Sequence, residues 1–248
     1  MHWALEFYKK QNEWIGAFRG EPGELERGKV KKIREKAGEP PLEVLELGSG
    51  GGQFAISCAE EGYRVLAIEL VPQLTDHIRE LGKHLEPDQL QVINGDFYEV
   101  EIENRFNVIC YWDGFGIGED SDQRILLKKI TSWLKPDGLV FLDIYAPWFW
   151  AREAGPKKDF GNFIRQTDFD FKNCRFLDSI WPKNNKEETI TQSLRCYTPS
   201  DLELLLEGTG LEIQEIDEVA GLDGGTGEYS NRVKFEDAMM YTVTLKQK

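Results

Sequence analysis

The order of hydrophobic and polar positions divides the chain into stretches of different rhythm. Over residues 3–18, Trp3, Phe7, Trp14, Ile15 and Phe18 recur at helical spacing with Lys9, Lys10, Gln11, Asn12 and Glu13 between them, which predicts an amphipathic helix. Gly20-Glu21-Pro22-Gly23 breaks it. A mostly charged helix follows over about 24–36 and stops at Ala37-Gly38-Glu39-Pro40-Pro41, because proline cannot continue the hydrogen-bond ladder. From residue 42 short apolar runs alternate with helical patterns. Strands are expected at 42–47, 64–70, 89–94, 106–112 and 139–145, and helices at 53–61, 72–85 and 122–134. The runs 44–47 and 140–145 are almost continuously apolar, as in strands covered on both faces.

Residues 148–197 lose this alternation. Trp148, Phe149, Trp150, Phe160, Phe163, Phe169, Phe171, Phe176 and Trp181 are scattered among charges, and 189–197 suits a strand. An antiparallel insertion with a turn at 181–185 is expected. Thr198-Pro199-Ser200-Asp201 then opens a helix, with Thr198 as N-cap and Pro199 at the first position. Strands at 211–219 and 239–245 flank a glycine-rich loop at 221–227. The expectation is an α/β fold: a doubly wound, seven-stranded, mainly parallel sheet with an antiparallel insertion after the fifth strand. Four parts follow: helices at 1–41 over the site, a sheet core at 42–147, an insertion at 148–197 acting as substrate cap, and a final helix and two strands at 198–248.

Charge then narrows the partners. The 248 residues carry 30 basic and 44 acidic side chains, a formal net charge of −14. Such a field opposes non-specific attraction to nucleic acid. The excess is uneven: −10 over 44–150 and −7 over 201–248, but +1 over 1–43 and +2 over 151–200. The two stretches expected to face a substrate are thus nearly neutral, which leaves room for a small anionic one. Cys58, Cys110, Cys174 and Cys196 form no C-x-x-C pair and have no His at ligand spacing, so no metal site is expected. Cys174 and Cys196 are the one conceivable disulfide. With no leader-like start and no run of 18 apolar residues, a cytoplasmic protein with no membrane partner is expected.

The chemistry concentrates in Val44-Leu45-Glu46-Leu47-Gly48-Ser49-Gly50-Gly51-Gly52-Gln53-Phe54. A strand enters a glycine turn and a helix leaves it, so free backbone amides face any ligand seated there. Glu69 closes the next strand 17 residues beyond Gly52, where a carboxylate can accept from a ribose diol. Two registers compete. Residues 50–55 satisfy G-x-G-x-x-A, a weak dinucleotide pattern. Glu46-x-Gly48-x-Gly50-x-Gly52 instead places an acid before the first glycine. That acid would repel a pyrophosphate but suits a cationic amino group.

The second register resembles the class I S-adenosylmethionine-dependent methyltransferases, whose first motif has the form E-x-G-x-G-x-G. The resemblance extends over about 42–147 and 198–246. It takes in Asn94-Gly95-Asp96-Phe97, the strand 106–112, the turn Leu134-Lys135-Pro136-Asp137-Gly138 and the late helix at Thr198-Pro199. It implies a Rossmann-like fold and S-adenosylmethionine as cofactor. Glu46, Gly48, Ser49, Gly50, Gly52 and Tyr111 would belong to its binding site. Glu69 would take the ribose, Leu70 and Phe97 would pack on adenine, and Asp96 would accept from the adenine amino group. Taken singly, Glu69 is an ordinary strand-end charge and Asn-Gly-Asp ordinary turn chemistry. Their order along the chain decides.

The acceptor is less legible. The [DN]-P-P-[YF] motif common in methyltransferases of DNA exocyclic amines or glutamine side chains is absent after the fourth strand, as is the Pro-Cys dipeptide that attacks pyrimidine carbon, and both absences count against a nucleic-acid substrate. Asp113 falls near the methyl donor by the resemblance, as a base or orienting group, although capping the following loop is the plainer role. His77 and His84 read as surface residues of one helix. Tyr8, Trp14, Trp112 and Trp148 are aromatic candidates for the substrate pocket, against the alternative that they pack as seams. Arg195 and Tyr197 are candidates for an anionic substrate group, against a solvated strand edge. The expected function is methyl transfer to an O or N nucleophile of a small molecule. The alternatives are an RNA or protein methyltransferase, or a cofactor-binding regulatory subunit without activity.

Overall fold

A computed structural model describes residues 2–16, 18–222, 229–230 and 233–248. Most of the expected glycine-rich loop at 221–227 lies outside the described residues. The chain opens with α1 (His2–Ile15) and α2 (Glu24–Ala37). An alternating core follows: β1 (Glu43–Leu47), α3 (Gln53–Glu60), β2 (Arg64–Glu69), α4 (Pro72–Leu81), β3 (Leu90–Asn94), β4 (Phe106–Tyr111), α5 (Asp120–Trp133) and β5 (Leu134–Tyr145). The insertion comprises α6 (Pro147–Arg152), β6 (Lys157–Asp159), β7 (Phe163–Asp170), β8 (Arg175–Pro182) and β9 (Ile190–Arg195). Last come α7 (Pro199–Leu206), β10 (Leu211–Leu222), β11 (Tyr229–Ser230) and β12 (Met240–Gln247).

The main sheet has the order β11-β10-β12-β5-β4-β1-β2-β3. β1 through β5 are mutually parallel, whereas β12 runs antiparallel to both β5 and β10. The seven expected strands are all present, and the two-residue β11 adds an eighth at the edge. The doubly wound reading rests on side-chain parity, because successive strand residues face opposite layers. Leu45, Leu47, Ile109 and Val140 point to one layer, filled by Leu126, Leu127 and Ile130 of α5 and Leu202 and Leu205 of α7. Val44, Val108 and Phe141 point to the other, filled by Ile33 of α2 and by Phe54 and Cys58 of α3.

Three local differences from the sequence reading have physical causes. Leu134–Gly138, expected as a turn, already pairs with β4 through Leu134 opposite Phe106, and Asp137 absorbs the irregularity in the left-handed region (φ 62°). The short α6 was not anticipated, since one and a half turns of Pro-Trp-Phe-Trp carry too few positions to show a period. Cys174 and Cys196 are neighbours across β8 and β9 but are free thiols, like the other two cysteines.

β6–β9 form a separate four-stranded antiparallel sheet. It is fastened to the end of β5 by aromatic contacts: Tyr145 stacks on Phe176 at 5.6 Å, and Trp150 lies 3.9 Å from Phe176. It is also fastened by backbone. Arg195 N–H donates to Gly116 O at 2.9 Å, and a Cβ on Gly116 would lie 2.3 Å from Arg195 O. Only glycine permits that approach.

Candidate functional site

The carboxyl ends of β1, β2 and β4 open into a partly enclosed cavity of about 170 Å³. Gly48 and Gly50 form one wall, both with positive φ (63° and 54°). The turn they make ends at Gly52, whose left-handed conformation caps α3. Residues 18–20 lie directly on this turn. Gln53 Nε2 donates to Phe18 O and Gly20 O at 3.1 and 3.0 Å, and a Cβ on Gly51 would fall 1.7 Å from Phe18 O.

Glu69 reaches the same wall. Its Oε2 accepts from Gly50 N–H and its Oε1 from Val71 N–H, both at 2.8 Å. Burial raises it to about 7, against those two amides, which favour the charged form. Leu70, Asp96, Phe97 and Tyr111 line the cavity as well. Asn94 clips this corner together by donating from Nδ2 to Glu69 O and Leu70 O.

Glu46, Ser49 and Gly52, expected at the same site, are not among the residues that line the cavity. Glu46 is 3% exposed and sits on the face of β1 toward α2 and α3. Burial raises it to about 8, opposed first by the Lys29 charge. Its Oε2 has no hydrogen-bond partner among the described residues. Ser49 Oγ turns back toward Glu46 O and Ile68 O. A Cβ on Gly52 would meet Ile78 of α4 at 2.6 Å, so that glycine serves helix packing.

The opposite side of the cavity comes from α1, the end of β5 and the inserted sheet. Tyr8 OH donates to Gln192 Oε1 at 3.2 Å, and Gln192 Nε2 to Asp178 Oδ2 at 3.4 Å. Asp178 is fully buried and holds the Arg165 guanidinium at two points, Nε at 2.7 Å and Nη2 at 2.9 Å. Tyr8, Gln192, Arg165, Tyr145 and Asp113 all line the cavity. Asp113 has left-handed backbone (φ 50°), and its Oδ1 accepts a short hydrogen bond from Tyr145 OH. It is accessible from the open cavity yet enclosed by protein. That enclosure raises its carboxyl above the usual range, while the Tyr145 donation opposes the rise. It does not cap the next helix, where Asp122 accepts from Glu119 N–H instead.

Among the aromatic candidates only Tyr8 and Trp112 are wall residues. Trp112 also carries Lys29 Nζ over its ring at 4.4 Å, and that lysine lies 3.6 Å from the buried Asp143. Trp14 lies under Lys10 on α1, off the wall. Trp148 stacks on Tyr241 and meets Phe235. Tyr197 OH donates to Asp120 Oδ1 at 2.7 Å, and Arg195 Nε lies 3.3 Å from the same oxygen. These two residues tie the inserted sheet to α5 and do not face the cavity. His77 is half-buried and His84 exposed beside Glu60. The sequence reading missed Tyr145, Arg165 and Gln192. Their available signal was parity, since Arg165 shares its strand face with the buried Phe163 and Phe169.

The fold, the glycine wall and the acid at the end of β2 define a Rossmann-like protein with one deep cleft above its parallel strands. The methyltransferase-domain family model matches residues 23–216, and the chain belongs to that family. The chain is 32% identical over 114 residues to the cypemycin N-terminal methyltransferase of a Streptomyces species, covering 45% of either protein. It is 33% identical over 101 residues to the protein arginine N-methyltransferase PRMT10 of Oryza sativa subsp. japonica, over 40% of this chain and 26% of that one. The chain thus spans less than half the length of these curated relatives. Among solved structures, an S-adenosylmethionine-dependent methyltransferase of Clostridium acetobutylicum superposes over 98% of both chains with a TM-score of 0.71 at 16% identity. The CcbJ methyltransferase of Streptomyces caelestis covers 91% of this chain and 90% of its own, with a TM-score of 0.70 at 18% identity. At such identities these two attest the fold.

Proposed function

We propose that this chain transfers a methyl group from S-adenosylmethionine to an O or N nucleophile of a small molecule. The observation that carries the reading is one cavity with two ends. Gly48, Gly50, Glu69, Asp96 and Phe97 stand at one end, and Asp113, Tyr145, Arg165 and Gln192 at the other. A glycopeptide N-methyltransferase of similar fold, solved with S-adenosylmethionine and with S-adenosylhomocysteine, supports the cofactor.

The first end fits that cofactor. Each Glu69 oxygen takes one backbone N–H and keeps acceptor capacity for a ribose hydroxyl. Adenine fits against Leu70 and Phe97, with Asp96 beside it. Glu46 acts at one remove, through the turn it underlies. The bound cofactor supplies an activated methyl on a sulfonium, which leaves the protein to position and desolvate the nucleophile. Asp113 is suited to accept the nucleophile's proton, and Tyr145 holds its carboxylate in place. α1 and the inserted sheet, joined by Tyr8 and Gln192, exclude water from that end and form the substrate cap.

A peptide amine is the second reading, supported by the similarity to the cypemycin N-terminal methyltransferase. The net charge of −14 continues to disfavour RNA. Four free thiols suit a reducing cytoplasm, and no helix among the described residues is long and apolar enough to cross a membrane. Calorimetric titration with S-adenosylhomocysteine is the direct test. Micromolar-range binding is expected from the wild type and none from Gly50→Arg, whose side chain would enter the cavity beside Phe18. Methylation of a metabolite extract, a peptide pool and total RNA then sorts the acceptors. Product in RNA alone overturns the proposal.

A further inference from the structure

Arg165 stands between two cavities. Beside it lies a second pocket, lined by Phe149, Trp150 and Phe160 together with Glu153 and Lys158. Arg165 is the one residue on both walls. Its side chain is 37% exposed although its counter-ion Asp178 is fully buried. Asp178 fixes Nε and Nη2, and the described residues offer Nη1 no acceptor. A guanidinium pinned on one edge and free on the other is preorganised for a second carboxylate, because no side-chain freedom is lost on binding it.

The inner cavity has the opposite character. Arg165 is its single basic wall residue, against Glu69, Asp96 and Asp113. Glu69 and Asp96 belong to the cofactor end, so the acceptor end pairs one acid, Asp113, with one base, Arg165.

Granting the methyl-transfer reading, we infer that the acceptor is an amino acid with an apolar body. Its amine sits at Asp113, its carboxylate on Arg165, and its side chain in the outer cavity against Phe149 and Trp150. The ammonium gives one proton to the Asp113 carboxylate. The freed nitrogen lone pair forms the N–C bond as the S–C bond breaks, and that electron pair stays on sulfur as a thioether. A hydroxy acid would leave Asp113 without its cation, and a simple amine would leave Nη1 without its anion. Arg165 is therefore the residue that sets acceptor specificity.

The test measures binding of three matched probes to the full chain saturated with S-adenosylhomocysteine: L-phenylalanine, phenethylamine and 3-phenyllactate. L-Phenylalanine is expected to bind about tenfold to a hundredfold more tightly than either analogue, each of which lacks one charge-assisted contact. Arg165→Lys keeps a charge for Asp178 but loses the fork. It is expected to erase the preference for L-phenylalanine over phenethylamine while leaving S-adenosylhomocysteine binding unchanged. The double variant Arg165→Gln/Asp178→Asn removes both members of the ion pair together and is expected to do the same. Equal binding of the three probes overturns the inference. So does a preference that survives in both variants, or binding of none of the probes to a chain that binds S-adenosylhomocysteine. If the wild type fails to bind S-adenosylhomocysteine, the proposed function falls first and the inference with it.

Discussion

Replacing Glu69 by glutamine separates two tasks of one buried carboxylate. Without ligand, Glu69 is 5% exposed and accepts from Gly50 N–H and Val71 N–H, and burial raises it from 4.5 to about 7. That displacement corresponds to about 3 kcal/mol held against the ionised form. The folded value is raised, so its contribution to stability is complete below the unfolded value and is lost as pH climbs through about 7. Ligand-free wild type should therefore gain about 2–3 kcal/mol from Glu69 between pH 8 and pH 5. Glutamine does not titrate and turns an NH2 toward one of the two backbone donors, a fixed cost of about 1–3 kcal/mol. Glu46, raised to about 8, adds a slope of its own, which subtracting variant from wild type largely cancels. Ligand hydroxyls favour the ionised carboxylate. Wild-type affinity for S-adenosylhomocysteine should thus be about tenfold weaker at pH 6, where about a tenth of the free carboxyl is charged, than at pH 8. Glu69→Gln should bind about tenfold to a hundredfold more weakly at pH 8, with no such slope. Urea unfolding and calorimetry across pH 5–8 measure both effects. A wild-type affinity flat with pH, or an unchanged slope in the variant, refutes the reasoning.

Tyr145→Phe removes the donor that holds the Asp113 carboxylate, so Asp113 should titrate at higher pH. The rising limb of the pH–rate profile should move up and kcat fall by about tenfold or more, with S-adenosylhomocysteine affinity retained. Gly51→Ala drives a methyl into Phe18 O, and displacing residues 18–20 should cost about 1–3 kcal/mol in urea unfolding and expose that segment to limited proteolysis. Trp148→Ala removes ring contacts with Tyr241 and Phe235 away from the cavity wall, so melting should drop while ligand binding stays at the wild-type level. Asp178→Asn strips the buried partner from Arg165. Because Arg165 is partly exposed, the loss should be about 1–3 kcal/mol, visible in unfolding but not in S-adenosylhomocysteine titration.

The glycine wall of the cavity, the proposed cofactor end, was legible because its parts are local. A strand, a glycine turn and an acid at the next strand end lie within 43–69, and parallel pairing of β1 with β2 sets their carboxyl ends side by side. Spacing along the chain therefore maps onto spacing in the cleft. The same argument separates wall from foundation only by parity. Glu46 and Leu47 are neighbours in sequence, yet they face opposite layers of the sheet, and Glu46 ends beneath the turn. The motif marks the turn but not which of its side chains reach the cavity.

Apart from Asp113, the proposed acceptor end was hidden for a different reason. Asp113, Tyr145, Arg165 and Gln192 come from four segments brought together only when the inserted sheet folds onto α1 and the end of β5. No spacing rule links them. Arg195 and Arg165 look alike in sequence, each the lone base on its strand of the insertion. Their neighbours tell them apart. Arg165 alternates in phase with buried Phe163 and Phe169, so it turns inward with them. Arg195 is out of phase with buried Gln192 and Leu194 and turns away, toward Asp120. A base in phase with the aromatics of a cap strand must be paired or must serve a ligand, because burial of an unpaired charge is too costly. Arg165 does both at once, with one edge on Asp178 and the other toward the space between the two cavities.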